Sequence, residues 1–102
     1  MKKIIDGKLY DTATAEEIHH TCNDYGDDLG HLEEALYRTK KRAYFIAGSG
    51  GPQSRYAQTQ GSNMTGGSDI EVLSEQDAMA WLEEKNGTPA LLKYFSEKIE
   101  EA

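Results

Sequence analysis

Polar and apolar positions alternate at the start of the chain and recur at helical spacing near its end. In KKIIDGKLY, the Asp6-Gly7 pair is a favoured two-residue hairpin turn, because both positions of a type I′ turn take positive φ. That register sets Ile5 opposite Lys8 and Ile4 opposite Leu9, and it puts Ile4 and Leu9 together on a face expected to be buried. The strongest strand signal lies in ALYRTKKRAYFIA, where β-prone arms at 35–39 and 42–47 flank Lys40 and Lys41. A turn at those two lysines sets Tyr37 against Tyr44 and Leu36 against Phe45. A longer turn is equally compatible, since neither lysine favours positive φ.

Between these hairpins, DTATAEEIHHTCND predicts a short amphipathic helix. Asp11 or Thr12 serves as its cap, Glu16 and Glu17 suit its first turns, and Ala15, Ile18, His19 and Cys22 form an i, i+3, i+4, i+7 stripe. Toward the end, Ile70, Val72 and Leu73 predict a strand. Ser74-x-x-Asp77 then opens a helix whose inner face is Ala78, Trp81, Leu82 and Lys85. Gly87 occupies the position of a left-handed helix terminator, and Thr88-Pro89 restarts a second helix with Leu91, Leu92, Phe95 and Ile99 inward. The order is hairpin, helix, hairpin, long loop, strand, helix, helix. It predicts one α+β domain over residues 1–102, a small mainly antiparallel sheet covered on one side by helices.

Composition changes the picture through charge. The net charge of −7 divides into −6 over residues 1–34 (nine acids, three bases), +5 over 35–68 (no acids, five bases) and −6 over 69–102 (nine acids, three bases). So acidic a chain is repelled by nucleic acid, so no direct nucleic-acid binding is expected. A basic protein surface is the natural partner, although a basic middle packed between acidic ends would also cancel them locally. No run approaches a membrane span and no secretory signal follows MKK, and a single cysteine, Cys22, suits a reducing cytoplasm. A cytoplasmic protein with no membrane association is the expectation, its oligomeric state left open.

Candidate chemistry is sparse. His19, His20, Cys22 and His31 raise the question of zinc, but the paired spacings of a structural site are missing, and no metal or cofactor is expected. Cys22 beside a histidine lacks any oxyanion-forming motif, and no nucleophile–base or two-carboxylate arrangement can be placed, so an enzyme is not expected. RTKKR, residues 38–42, reads as a charged hairpin tip that discourages edge pairing. The glycine-rich stretch 47–69 holds six of the ten glycines, yet GSGGPQS matches no phosphate-loop pattern, and Pro52 lacks an amide donor. It reads as an ordered loop packed over the second hairpin, with Tyr56 pinning it to the sheet and Arg55 reaching back to an acid. Gly48, Gly50, Gly51, Ser54, Arg55 and Tyr56 are its candidate contacts should it bind a small ligand or nucleotide.

Three stretches, MKKIIDGKLYDTATA, LYRTKK…YFIAGSGGPQSRYAQTQGSN and IEVLSEQDAMAWLEE, together resemble a family of short prokaryotic proteins often met in mobile elements and prophages. The shared features are a K-x-I-x-G-K-x-Y-D-T start, an L-Y-R/K-T hairpin and a G-x-G-G…S-x-Y-A segment. The resemblance places Gly48, Gly50, Gly51, Ser54, Tyr56 and Ala57 in the family pattern and carries no catalytic motif. A mobile-element setting implies an acidic inhibitor of host defence, of the anti-CRISPR type, that covers the basic channel of a nucleic-acid-binding effector. Asp11, Glu16, Glu17, Asp24, Asp27, Asp28, Glu33 and Glu34 are the expected docking block.

Overall fold

A computed structural model describes residues 1–23 and 31–102. Strands β1 (Lys2–Ile5) and β2 (Lys8–Asp11) form the first hairpin, in the register read from the sequence, with Asp6 and Gly7 both at positive φ. The main sheet has four antiparallel strands in the order β3 (Glu16–Asn23), β4 (Leu32–Arg38), β5 (Tyr44–Gly50) and β8 (Gly67–Leu73). Between β5 and β8 the chain makes a long excursion that carries a small hairpin, β6 (Gln58–Gln60) and β7 (Asn63–Thr65). Helices α1 (Glu75–Glu84) and α2 (Thr88–Tyr94) follow, and a 3-10 turn, Ser96–Lys98, comes after them. The protein is therefore mixed α+β, with antiparallel sheets and two C-terminal helices. No helix among the described residues is long and apolar enough to cross a membrane.

Alternation along the strands sends side chains into two separate cores. On one face Leu36, Tyr44 and Ile46 pack with Ala78, Trp81 and Leu82 of α1, Ala90 and Leu91 of α2, and Phe95. On the other, Phe45 and Ile70 receive Tyr10 of the first hairpin, whose ring meets Phe45 edge-on at 5.6 Å. Tyr37 stacks on Phe45 from the neighbouring strand at 5.2 Å. The sheet is thus the middle of three layers, covered by helices on one side and by the β1–β2 hairpin on the other.

The predicted N-terminal helix is a strand, β3. A bulge explains the misreading. Glu17 pairs with Tyr37 and His19 with Leu36, which leaves Ile18 as an extra residue between them. Ile18 and His19 therefore both face the helices, Ile18 against the core and His19 edge-on to Trp81 at 5.9 Å. That adjacent pair, flanked by Ala15 and Cys22 at a distance of three, imitates a helical stripe. Ala15 packs instead with the hairpin-side core, and Cys22 is exposed.

Other details shift for local reasons. Ile4 (71% exposed) and Leu9 (57%) form a cross-strand pair on the outer face of their hairpin, because Tyr10 and Ile5 take the inner one. The β4–β5 turn is the longer alternative. Lys40, Lys41 and Arg42 lie outside the ladder, Arg42 adopts φ 64, and Thr39 closes the turn through bonds to Ala43 and Arg42, so Tyr37 pairs with Phe45 and Leu36 with Ile46. Ser74 caps α1 by accepting from the Asp77 amide at 3.0 Å. At its other end, Asn86 rather than Gly87 takes the left-handed conformation (φ 58), and the Gly87 amide bonds back to the Leu82 carbonyl at 2.7 Å. Gly87, not Thr88, precedes α2, with no side-chain cap, and Leu92 projects outward.

Candidate functional site

The glycine-rich excursion lies over the end of the sheet that the helices do not reach. On the helix-facing side β4 carries Glu34 two residues before Leu36, and β5 carries Gly48 two residues after Ile46; Glu34 and Gly48 are cross-strand partners. Tyr56 lies on Gly48 so closely that a Cβ there would overlap the end of the phenol ring. Its hydroxyl donates to Glu34 Oε2 at 2.5 Å, and Arg55 Nη1 reaches the same oxygen at 3.2 Å. Arg55 Nη2 binds Glu71 Oε2 on β8 at 2.5 Å, with its guanidinium 5.0 Å from the centre of the Tyr56 ring. Glu34 is only 2% exposed, so it is a buried carboxylate satisfied by a phenol and a guanidinium from one dipeptide. Burial, and then the hydrogen bond to Glu34, push the Tyr56 pKa well above the ordinary tyrosine value. Ser54 organises the approach: its hydroxyl donates to the Gly51 carbonyl at 2.8 Å and accepts from the Tyr56 amide at 3.2 Å.

The anchor roles expected of Tyr56 and Arg55 are met within the protein itself. Gly48 and Gly50 lie inside the sheet, each paired with β4 on one side and β8 on the other, so they form strand rather than an open anion cradle. The Gly51 amide is bonded to the His31 carbonyl at 2.9 Å. Of the residues named for a ligand site, Gly48, Arg55 and Tyr56 meet at Glu34, while Gly50, Gly51 and Ser54 pack with one another beside the His31 carbonyl.

Among the described residues, the members of the expected acidic docking block do not share one face. Glu34 is buried, which corrects its assignment to a partner-facing surface. Strand alternation divides the others: Glu16 lies on the helix side with Arg38 Nη2 at 3.4 Å and the Tyr94 hydroxyl at 3.0 Å. Glu17 and Glu33 lie on the opposite side, Glu17 accepting from Tyr37 at 3.5 Å. Asp11 Oδ1 accepts from the Ala13 amide at 2.9 Å and shapes the passage from β2 to β3. Asp24, Asp27 and Asp28 fall outside the described residues. Asp11 and Glu17 carry no ion pair among the described residues, and further such carboxylates lie on the helical layer. Asp77 and Glu83 project from α1, Glu97 from the 3-10 turn, and Glu100 and Glu101 extend beyond it, all exposed. The sequence signal for them was the second −6 segment, which periodicity assigned only to helix formation.

Glu33 has a different neighbourhood. His20 Nε2 lies 2.9 Å from Glu33 Oε1, and His31 Nε2 lies 3.6 Å from Oε2. The hydrogen bond with His20 lowers the Glu33 pKa against a small desolvation, helped by the charges of His20 and His31. Cys22 is the cross-strand partner of Glu33. His19, grouped with these residues in the sequence, points the other way, its Nε2 3.2 Å from the Lys85 carbonyl at the end of α1. Comparisons of the chain with protein-family models, with curated proteins and with solved structures find no match.

Proposed function

We propose that the protein is a non-catalytic interaction domain that docks on a basic surface of another protein through the carboxylates of its helical layer. The observation that carries this reading is the set Asp77, Glu83, Glu97, Glu100 and Glu101, exposed and without ion pairs among the described residues. Glu84 on α1 is also exposed, and its only ion pair among the described residues is to the adjacent Lys85 at 3.8 Å. Such a field attracts a positively charged groove, speeds encounter and weakens as salt screens it. In its sharpest form the partner is the nucleic-acid channel of a host-defence effector. That form rests on the sequence resemblance to mobile-element proteins, with the docking surface moved from residues 11–34 to the helices.

The test is capture of bacterial effectors on the immobilised protein, followed by elution with duplex DNA, with RNA or with salt. Glu83→Lys, Glu84→Lys and Glu97→Lys combined should abolish capture, while Glu16→Lys with Glu17→Lys should leave it intact. A partner that is held equally well by the helix-reversed variant, or that nucleic acid fails to displace, would overturn the reading.

A further inference from the structure

The period of a β-strand assembles, on the face opposite the helices, a set of ligands that helical spacing would have scattered. His20 and Cys22 are two apart on β3, and His31 and Glu33 are two apart where β4 begins, so each pair shares one face. Antiparallel pairing then sets Cys22 directly across from Glu33. A sulfur from Cys22, an imidazole nitrogen from His31 and a carboxylate oxygen from Glu33 all lie within 4.8 Å of one another. Ligands of one tetrahedral zinc-sized ion sit roughly 3.3–3.6 Å apart, as follows from its bond lengths of about 2.0–2.3 Å. The 3.6 Å between His31 Nε2 and Glu33 Oε2 already has that spacing. The Cys22 sulfur, on an exposed side chain, lies within 4.8 Å of both.

We propose that Cys22, His31 and Glu33 form a three-ligand site for a thiolate-accepting divalent ion of the zinc class, with its fourth position open to solvent. The donor set selects the ion: a thiolate and an imidazole favour zinc or cobalt over magnesium or calcium, which prefer all-oxygen shells. Glu33 is divided between two tasks. Its Oε2 faces His31 and the ion, while Oε1 is held by His20 at 2.9 Å, which orients the carboxylate from behind. His20 is a positioning residue and not a ligand in this arrangement. The site stands on backbone ladders of the main sheet, on the face away from the helical docking surface, and does not depend on that reading.

The experiment is a cobalt titration of tag-free, metal-stripped protein, followed by zinc displacement. A thiolate-to-cobalt charge-transfer band should grow to one ion per chain and vanish as zinc replaces cobalt. Cys22→Ser should abolish the band, and His31→Ala should weaken zinc binding by well over tenfold. His20→Ala should keep the band and lose about 10–100-fold in affinity, the range for a second-sphere partner of a ligand. All three side chains are exposed or partly exposed, so circular dichroism should show each variant folded. Absence of a band, a stoichiometry other than one, or zinc held by Cys22→Ser as tightly as by the parent would overturn the site.

Discussion

On β4, Leu36 and Glu34 stand two residues apart on the same face of the sheet, and the chain covers them by different means. Leu36 and its neighbour Ile46 are sealed by α1 and α2 through Trp81, Leu82 and Leu91. Glu34 and its neighbour Gly48 are sealed by the excursion through Tyr56 and Arg55. Helical cover is non-directional and scales with apolar area, so many side chains share it. Loop cover is directional: one phenol and one guanidinium compensate one buried carboxylate, and removing either leaves that charge with one partner in place of two. A loop has no repeating apolar face to offer, so a polar anchor on a glycine floor is how it can hold a sheet.

The largest expected effect lies under the helices. Leu82 is fully buried, and Leu82→Ala should cost about 2–5 kcal/mol in denaturant unfolding. A loss far below that range would mean the helical layer is a loose lid, and the contrast with the loop would fail. Under the loop, Tyr56→Phe keeps the ring on Gly48 but removes the donor to Glu34, and should cost about 1–3 kcal/mol. It should also speed proteolysis within 51–66 while leaving the helices protected, an outcome that Leu82→Ala should reverse.

A pH series sharpens the same comparison. The Tyr56 pKa is raised, first by burial and then by the bond to Glu34, so the folded chain keeps the phenol proton to higher pH than the unfolded chain. That contribution to stability is whole below the ordinary tyrosine value of about 10 and is lost as pH rises toward the folded value. Unfolding free energy should therefore decline above pH about 10. Tyr37 is shifted in the same direction, by burial and then by Glu17, so Tyr56→Phe should flatten the decline without abolishing it. An unchanged slope in that variant would remove Tyr56 as its source.

The smallest effect is expected at the rim, where Lys3 Nζ meets Asp69 Oδ1 at 2.7 Å with both side chains about half exposed. Solvent screens such a pair, and Asp69→Asn should change stability by less than about 1 kcal/mol at neutral pH. The Lys3 bond and the Ile70 amide lower the Asp69 pKa, so whatever the pair contributes should disappear as pH falls through that lowered value.

Much of this was legible where chemistry is local. Asp6-Gly7 fixed a turn, Ser74 a cap, and Trp81 and Leu82 a buried helix face, because each signal is complete within a few residues. The anchoring of the loop by Arg55 and Tyr56 was legible in kind, and the identity of the acid was not. Glu34 looks like any member of an acidic run until β4 is paired with β5 and Gly48 falls opposite it. The bulge at Ile18 hid β3 by breaking its alternation at the one place where the helical pattern would otherwise have been refuted. That error also set Glu16 and Glu17 on one helix turn, where the strand sends them to opposite faces, and it concealed the histidine, cysteine and carboxylate set, since both depend on which residues share a face.

The β6–β7 hairpin has a practical consequence. Its two strands are almost wholly solvent-facing, Gly61 at the tip adopts φ 65, and the stretch from 51 to 57 that anchors the excursion ends before β6 begins. Exposed tips of this kind accept inserted sequence readily. A fluorescent peptide or a short epitope spliced between Gly61 and Ser62 would report on the protein inside a cell with the helices, the Glu34 anchor and the Cys22 face left untouched.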